Sequence, residues 1–372
     1  MLQRGQKVHF SSQTRTVVKV EEHLQEGSFG KVFRCESVSG GKKFALKQTL
    51  LPSSSQLSQI ENEVNLMYSV NALNVRVPHI VDFSVSCETG VLILMSLEPG
   101  FQLNEWLFQN GPNLPWTERI ELAFALLINL APTLKRLHSV LCHRDVNSHN
   151  ILINISEKSK KLGFTLLDFG LAVERNAWDL YRWRDAAVSG DSRYWPCCAW
   201  RVFLDGWSSL TNKGISADQY REKLDMHSFA LTLVETICAN VPSGFSRILL
   251  LVTAWKAYWD HASRFGALFV ECAKGQDDWD ACKARITQLD VVKMTKSNLK
   301  LIRNALRSLR SQHQVFILIE RMLCIDEFTV TADWGYICSK LNLGTTTLTT
   351  IASREPTPYQ KESPLDFLRV HY

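Results

Sequence analysis

The 372-residue sequence has no Cys-x-x-Cys pair, no apolar run long enough for a membrane, no marked excess of either charge and no internal repeat. Each absence removes a class of protein. The 10 cysteines are scattered and lack nearby histidines at zinc-ligand spacing, so a zinc module is not expected. Cys197 and Cys198 are vicinal, which suits a disulfide poorly, and free thiols in a reducing compartment are the simplest expectation. The greasiest stretch, Ile248 to Trp255, is far shorter than a bilayer crossing. The start, Met1 to Gly5, carries no apolar run of the signal-peptide kind, so the expected location is cytoplasmic or nuclear. A net charge of +5 is too mild to imply nucleic acid as a partner. What is present is ordinary globular material, 45% hydrophobic and 21% charged, enough for one large domain or two lobes.

Residues 1–15 are polar and read as a loose N-terminal extension. Residues 16–97 alternate as strands do, at Thr16–Glu21, Gly30–Glu36, Lys43–Gln48, Ile80–Val85 and Val91–Ser96, with one helix at Leu57–Tyr68. After Glu98-Pro99-Gly100 the character changes. Trp116–Ser139 is helix-like, with Leu122, Leu126, Leu127 and Leu130 on one side and Pro132 set to bend its middle. Helices dominate beyond Asp218 to about Leu343, and 345–372 is a tail rich in Thr, Ser and Pro. The expected fold is therefore α+β and two-lobed. A small antiparallel sheet lobe with one helix (16–97) precedes a larger, mainly helical lobe (98–344), enlarged at about 240–314.

Four strings carry chemistry, and their order matters more than any one of them. Gly27-Ser28-Phe29-Gly30 with Val32, between two strand patterns, suits a hairpin that covers phosphates, because glycines let backbone amides approach closely. Gln25 stands where a further glycine would be usual. Lys47 lies in the next strand among Phe44, Ala45 and Leu46, so its ammonium needs a counter-charge. Glu63 on the Leu57–Tyr68 helix is preferred to Glu61, since Val64 and Met67 mark the inward face. His143-Arg144-Asp145 with Asn150 offers a general base in Asp145 and an amide oxygen for magnesium in Asn150. Asp168 of Asp168-Phe169-Gly170 follows a strand and is a second oxygen ligand for magnesium. Together these groups can hold a nucleotide triphosphate and move its last phosphate.

In these strings the chain resembles a eukaryotic protein kinase over roughly Val18 to Leu343. The resemblance implies an ATP- and Mg2+-dependent enzyme that phosphorylates protein hydroxyls, most readily serine or threonine. It places Val32 and Ala45 over the adenine, Met95 behind it and Leu97 among the nucleotide contacts. It implies that Asp225, in Asp225-Met226-His227-Ser228-Phe229-Ala230, bonds the backbone around His143 and Arg144. It also implies an apolar stack through Met67, Phe83, His143 and Phe169. Met322-Leu323 and Thr331-Ala332-Asp333 are similar to the family's closing helices.

The departures from the family are specific. Asn147 stands where serine/threonine members carry a lysine, and His149 where tyrosine-specific members carry an arginine, so both join Asp145, Lys47 and Glu63 in the catalytic set. Asp191 replaces the threonine after Gly190, and Pro196-Cys197-Cys198 replaces Ala-Pro-Glu. The arginine that pairs with that glutamate is replaced by Thr329, so both halves of a buried ion pair are gone, where losing one would cost about 3–5 kcal/mol. A matched exchange is expected in which the Asn147 amide donates to Asp191, with Arg193 as a second neutraliser. Ser189 and Tyr181 are the phosphorylatable positions before Gly190, and Asp185 is a built-in anion. Tryptophans 178, 183, 195, 200 and 207 predict a packed segment.

Lys293, Lys296, Lys300, Arg303, Arg307 and Arg310 recur at helical spacing beside Leu299, Ile302, Leu306 and Leu309. They offer a docking stripe for an acidic partner, or a solvated flank whose stems cover the core edge, the commoner case. Two functions other than an active protein kinase fit the same residues: a pseudokinase binding module, and a phosphotransferase acting on a small molecule.

Overall fold

The computed structural model describes residues 2–10, 16–27, 30–49, 54–86, 90–156, 161–210, 214–241, 248–273, 279–326 and 331–341. The tail at 345–372, Ser28 and Thr329 lie outside them.

The first lobe is a six-stranded antiparallel sheet, β1 (Lys7–His9), β2 (Val17–Gly27), β3 (Gly30–Ser37), β4 (Lys43–Thr49), β5 (Ile80–Ser86) and β6 (Gly90–Ser96), ordered β1-β2-β3-β4-β6-β5. Helix α1 (Ser54–Asn71) joins β4 to β5 and runs longer at both ends than the sequence pattern marks. Strand periodicity explains how β4 serves two faces at once. Phe44 and Leu46 enter an apolar cluster with Val18, Val20, Phe33 and Leu94. Ala45 and Lys47 point the other way, with Ala45 opposite Met95 and Lys47 opposite both Val32 and Ile93. The start of the chain is not loose. β1 pairs with β2, and Leu2, Val8 and Phe10 are buried against that same cluster, an apolar trio spaced too widely to show as a strand.

The second lobe is built on α3 (Trp116–His138) and α6 (Leu224–Cys238), preceded by α2 (Leu103–Asn110), α4 (Cys197–Asp205) and α5 (Gly214–Glu222). The helix α3 continues through Pro132, flanked by buried Leu130, Ala131 and Thr133. Packing on both sides outweighs the roughly 3 kcal/mol that an interior proline costs. Arg119, fully buried, donates from its guanidinium to the carbonyls of Ile237, Ala239 and Asn240, and so caps the C-terminal end of α6. Two short antiparallel sheets sit beneath the first lobe: β7 (Phe101–Gln102) with β9 (Ile151–Ile155) and β10 (Leu162–Leu166), and β8 (Leu141–Cys142) with β11 (Val173–Glu174). The residues that follow β8 and β10 form the two site loops.

The enlarged region is helical: α7 (Leu249–Ala273), α8 (Trp279–Gln288) and α9 (Val291–Ser308), followed by α10 (Gln314–Met322) and α11 (Trp334–Leu341). It shares a separate aromatic core with the segment after β11. Trp178, Trp183, Trp195 and Trp200 are buried there with Phe203, Phe265 and Ile286, whereas Trp207 is 37% exposed at its edge. The basic stripe lies on α9, and much of its charge is met within the chain. Lys296 and Lys300 face Asp326 at 3.6 and 3.7 Å, and Arg307 and Arg310 donate to Glu320 at 2.8 and 2.9 Å.

Candidate active site

Lys47 reaches across the cleft from β4. Its Nζ donates to Glu63 Oε1 of α1 at 2.7 Å and to Asp168 Oδ1 at 3.2 Å. Burial opposes charge on this ammonium, but the two carboxylates outweigh it and hold its pKa above the ordinary lysine value. Burial likewise works against the Asp168 carboxylate. Lys47 and the Gly170 amide, which donates to Asp168 Oδ1 at 3.1 Å, more than offset it and keep Asp168 ionised below its usual range. Glu61, the competing partner for Lys47, is exposed.

The loop after β8 is held in an unusual shape. Arg144 has φ +70° and Asp168 has φ +58°, conformations that cost a non-glycine residue energy and persist only where surroundings impose them. Asp225 imposes the first. Its carboxylate accepts the His143 amide at 2.8 Å and the Arg144 amide at 2.7 Å, from the first turn of α6. His143 ties this loop to the other one. Its Nε2 donates to the Leu167 carbonyl at 3.1 Å, which leaves Nδ1 to accept the Asp145 amide at 3.3 Å. Its ring also packs edge-on against Phe169 with centroids 5.1 Å apart, and Met67 and Phe83 lie in the same apolar cluster.

Asp145 is surrounded by donors. Asn147 Nδ2 and the Asp191 amide donate to Oδ1 at 2.9 and 2.8 Å, and Asn150 Nδ2 donates to Oδ2 at 2.7 Å. Burial pushes the Asp145 carboxyl up to about 6, with the Asp191 amide pulling it down and the Asp191 charge pushing it further up. Because Asn150 spends its amide nitrogen on Asp145, its Oδ1 is left as the acceptor end. Asp168 Oδ and Asn150 Oδ1 are hard oxygen donors of the kind magnesium takes, and the Lys47 ammonium supplies a cation for phosphate oxygens. The donor set therefore fits a magnesium nucleotide.

The other predicted residues fall as follows. Val32, Ala45 and Met95 share the cleft face of the sheet, and half-buried Leu97 follows β6 into the joint between the lobes. Gly27 and Gly30 are partners at the end of the β2–β3 ladder, and a Cβ on Gly30 would come 2.2 Å from the Gln48 carbonyl oxygen. Asn147 does not serve Asp191. Its amide nitrogen goes to Asp145, and its Oδ1 accepts the His149 and Asn150 amides at 2.9 and 3.1 Å. Two residues of separation let Asn147 close a local turn, which a longer reach to Asp191 cannot match. Arg193 is the neutraliser instead, with Nε donating to Asp191 Oδ1 at 2.9 Å and Nη2 to Oδ2 at 2.6 Å. Its Nη2 also meets His149 Nε2 at 3.3 Å, and burial together with that cation pushes the imidazole pKa down to about 4, leaving it neutral. Ser189 Oγ accepts from Arg144, whose guanidinium lies over the Trp178 ring at 5.4 Å. Tyr181 is 48% exposed and Asp185 is exposed.

Sequence reasoning missed three participants. Gly190 (φ +92°) lies so close to the loop after β8 that a Cβ would sit 2.2 Å from the Arg144 carbonyl oxygen. Glu235 of α6 lies beneath the loop, accepting Tyr194 Oη at 2.7 Å and Ser148 Oγ at 3.0 Å. A lone acid within the apolar run Phe229–Cys238 was a legible signal for it. Trp259 of α7 stacks under Arg193 at 4.9 Å, and no local pattern marks that contact.

A two-lobed chain whose strand lysine pairs with a helix glutamate in the first lobe and reaches Asp168 in the second, with this double loop, is a member of the protein kinase class, and comparison agrees. The protein kinase domain family matches residues 18–327, and the chain belongs to that family. It is 28% identical over 230 residues to U-box domain-containing protein 34 of Arabidopsis thaliana, covering 60% of this chain and 25% of that protein. It is 26% identical over 224 residues to Receptor-like protein kinase FERONIA of the same plant, covering 58% and 22%. With LRR receptor-like serine/threonine-protein kinase FEI 2 of that plant the identity is 24% over 247 residues, covering 63% and 36%. The chain thus spans only about a quarter of the first two relatives. Among the described residues no helix is long and apolar enough to cross a membrane.

Proposed function

We propose that the chain is an active ATP- and magnesium-dependent protein kinase that transfers the γ-phosphate to serine or threonine hydroxyls. The observation that carries this reading is Lys47 Nζ lying between Glu63 and Asp168, residues from opposite lobes. Magnesium, when bound, offsets phosphate charge as it moves toward the leaving group. Lys47 holds phosphate oxygens, and Asp168 with the Asn150 amide oxygen holds the metal. Asp145 orients the acceptor hydroxyl and takes its proton, a contribution of about 10²–10⁴-fold. Val32, Ala45, Met95 and Leu97 give the adenine an apolar slot, with the backbone of the paired Gly27 and Gly30 above the phosphates. The serine/threonine assignment is supported by the similarity to LRR receptor-like serine/threonine-protein kinase FEI 2.

A second reading, nucleotide binding without transfer, draws on Asn147 standing where a phosphate-steadying lysine is usual. An acidic partner on the Lys293–Arg310 face is a weaker proposal, because it must compete with Asp326 and Glu320. The test is incubation of the purified chain with labelled ATP, magnesium and generic protein substrates beside Asp168→Ala. Transfer that vanishes in the variant supports the kinase reading. Nucleotide binding with no transfer from either protein supports the second.

A further inference from the structure

Asp191 presents a physical problem that the kinase reading leaves open. It is a half-buried carboxylate whose own amide is bonded to a second carboxylate, Asp145, at 2.8 Å. Two acids so placed raise one another's pKa and loosen the loop that carries them, unless a cation is fixed beside them. Arg193 is that cation, and three features of one helix fix it. Its guanidinium lies over the Trp259 ring at 4.9 Å. Tyr258 Oη donates to the Arg193 carbonyl at 2.6 Å. Gly266, about two turns further along the same face, presents no side chain, and a Cβ there would come 3.2 Å from Arg193 Cγ. Trp259 is itself held, stacked on Trp255 at 5.1 Å and met edge-on by Tyr194 at 5.7 Å.

We infer that Arg193, seated on Trp259 of α7, is a positioning residue that fixes Asp191 and, through the Asp191 amide, Asp145, so that the enlarged helical region sets the geometry of phosphoryl transfer. This rests on the kinase reading of Asp145. It assigns α7 a part in the work that a lysine–threonine contact performs in the family, which Asn147 and Asp191 cannot make. The groups facing Asp191 are Asp145 and His149 of the catalytic loop, Arg193 of its own segment, Tyr194 and Glu235 beneath it and Tyr258 of α7. Asp145 additionally faces His143 and Asp168. Among these, Arg193 is the only group that is charged positive at neutral pH and bonded to the Asp191 carboxylate.

The experiment compares the full chain with Arg193→Ala, Arg193→Lys, Trp259→Ala and Trp259→Phe, measuring kcat, KM for ATP and for acidic and neutral peptide substrates, and the pH profile of kcat. In parallel, ¹³C-carboxyl aspartate spectra, assigned through Asp191→Asn, follow the titration of Asp191 whether or not phosphate is transferred. Arg193→Ala is expected to lower kcat about 10²-fold at constant KM for ATP. It is also expected to raise the Asp191 titration by about 1–3 pH units and to move the acid limb of kcat the same way. Arg193→Lys restores most of the titration and part of kcat; Trp259→Phe stays near wild type and Trp259→Ala does not. An unchanged Asp191 titration in Arg193→Ala overturns the inference. So does a change confined to KM for acidic peptides, which would make Arg193 a substrate-binding group. If Arg193→Ala does not fold, the lysine and Trp259 variants carry the same readouts. A wild type that transfers nothing while Asp191 shifts as expected defeats the kinase reading and leaves the positioning intact.

Discussion

Tyr194 donates its hydroxyl hydrogen to Glu235 at 2.7 Å, and the same carboxylate accepts Ser148 Oγ of the loop after β8 at 3.0 Å. The pair pins the loop through Ser148, whose side chain is buried. Burial raises the Glu235 carboxyl to about 7, with the Tyr194 and Ser148 hydroxyls pulling the other way.

The sign of the resulting pH dependence follows from that shift. Glu235 binds its proton more tightly folded than unfolded, so its share of stability is complete below the ordinary glutamate value of 4.5 and is lost as pH rises through about 7. Asp145, raised to about 6, acts in the same direction. The melting temperature is expected to fall between pH 5 and pH 8 at constant ionic strength, and to fall less steeply in Glu235→Gln. A slope that is identical in the variant counts against a raised Glu235.

Lys47 and Glu63 are 7% and 4% exposed, so neither tolerates the loss of the other. Lys47→Met is expected to cost about 3–5 kcal/mol, much of it from leaving Glu63 charged and buried. The double variant Lys47→Met with Glu63→Leu should cost less than Lys47→Met alone. Urea unfolding of the two variants checks this, and additive losses would show that the carboxylate is not stranded.

Gly190→Ala places a side chain where φ is +92° and the Arg144 carbonyl oxygen is 2.2 Å away. The backbone conformation alone costs roughly 1–2 kcal/mol, before any clash. The segment must move off the catalytic loop, taking the Asp191 amide from Asp145. Limited proteolysis is expected to cut near residue 190 in the variant and not in wild type, with transfer lost in step. Equal resistance in both proteins would argue that the close approach is dispensable.

Much of the fold was legible because its signals are local. The strand alternation that set Ala45 and Lys47 opposite Phe44 and Leu46 is a period-two pattern in seven residues. The choice of Glu63 over Glu61 followed from Val64 and Met67 alone. What escaped the sequence involves partners far apart along the chain. Leu2, Val8 and Phe10 give no strand pattern by themselves; Val8 pairs with β2, and all three are buried against the sheet's apolar cluster. Asn147 was assigned to Asp191 on chemistry, yet a turn two residues long outcompetes a contact across the loop. The basic stripe left a docking face open beside the commoner solvated flank, and the charges of Asp326 and Glu320, which meet much of it, come from outside α9.

The sequence by itself determined the chemical inventory: a lysine in a strand, an acid on a helix, and Asp145, Asn150 and Asp168 beside strands that expose their loops. Those identities rest on short-range rules of side-chain period and turn geometry, which the local chain obeys. Only the tertiary structure decided which charges offset one another. Charge pairing depends on distance through space and on burial, and neither quantity exists along a linear chain until α7 brings Trp259 beneath Arg193.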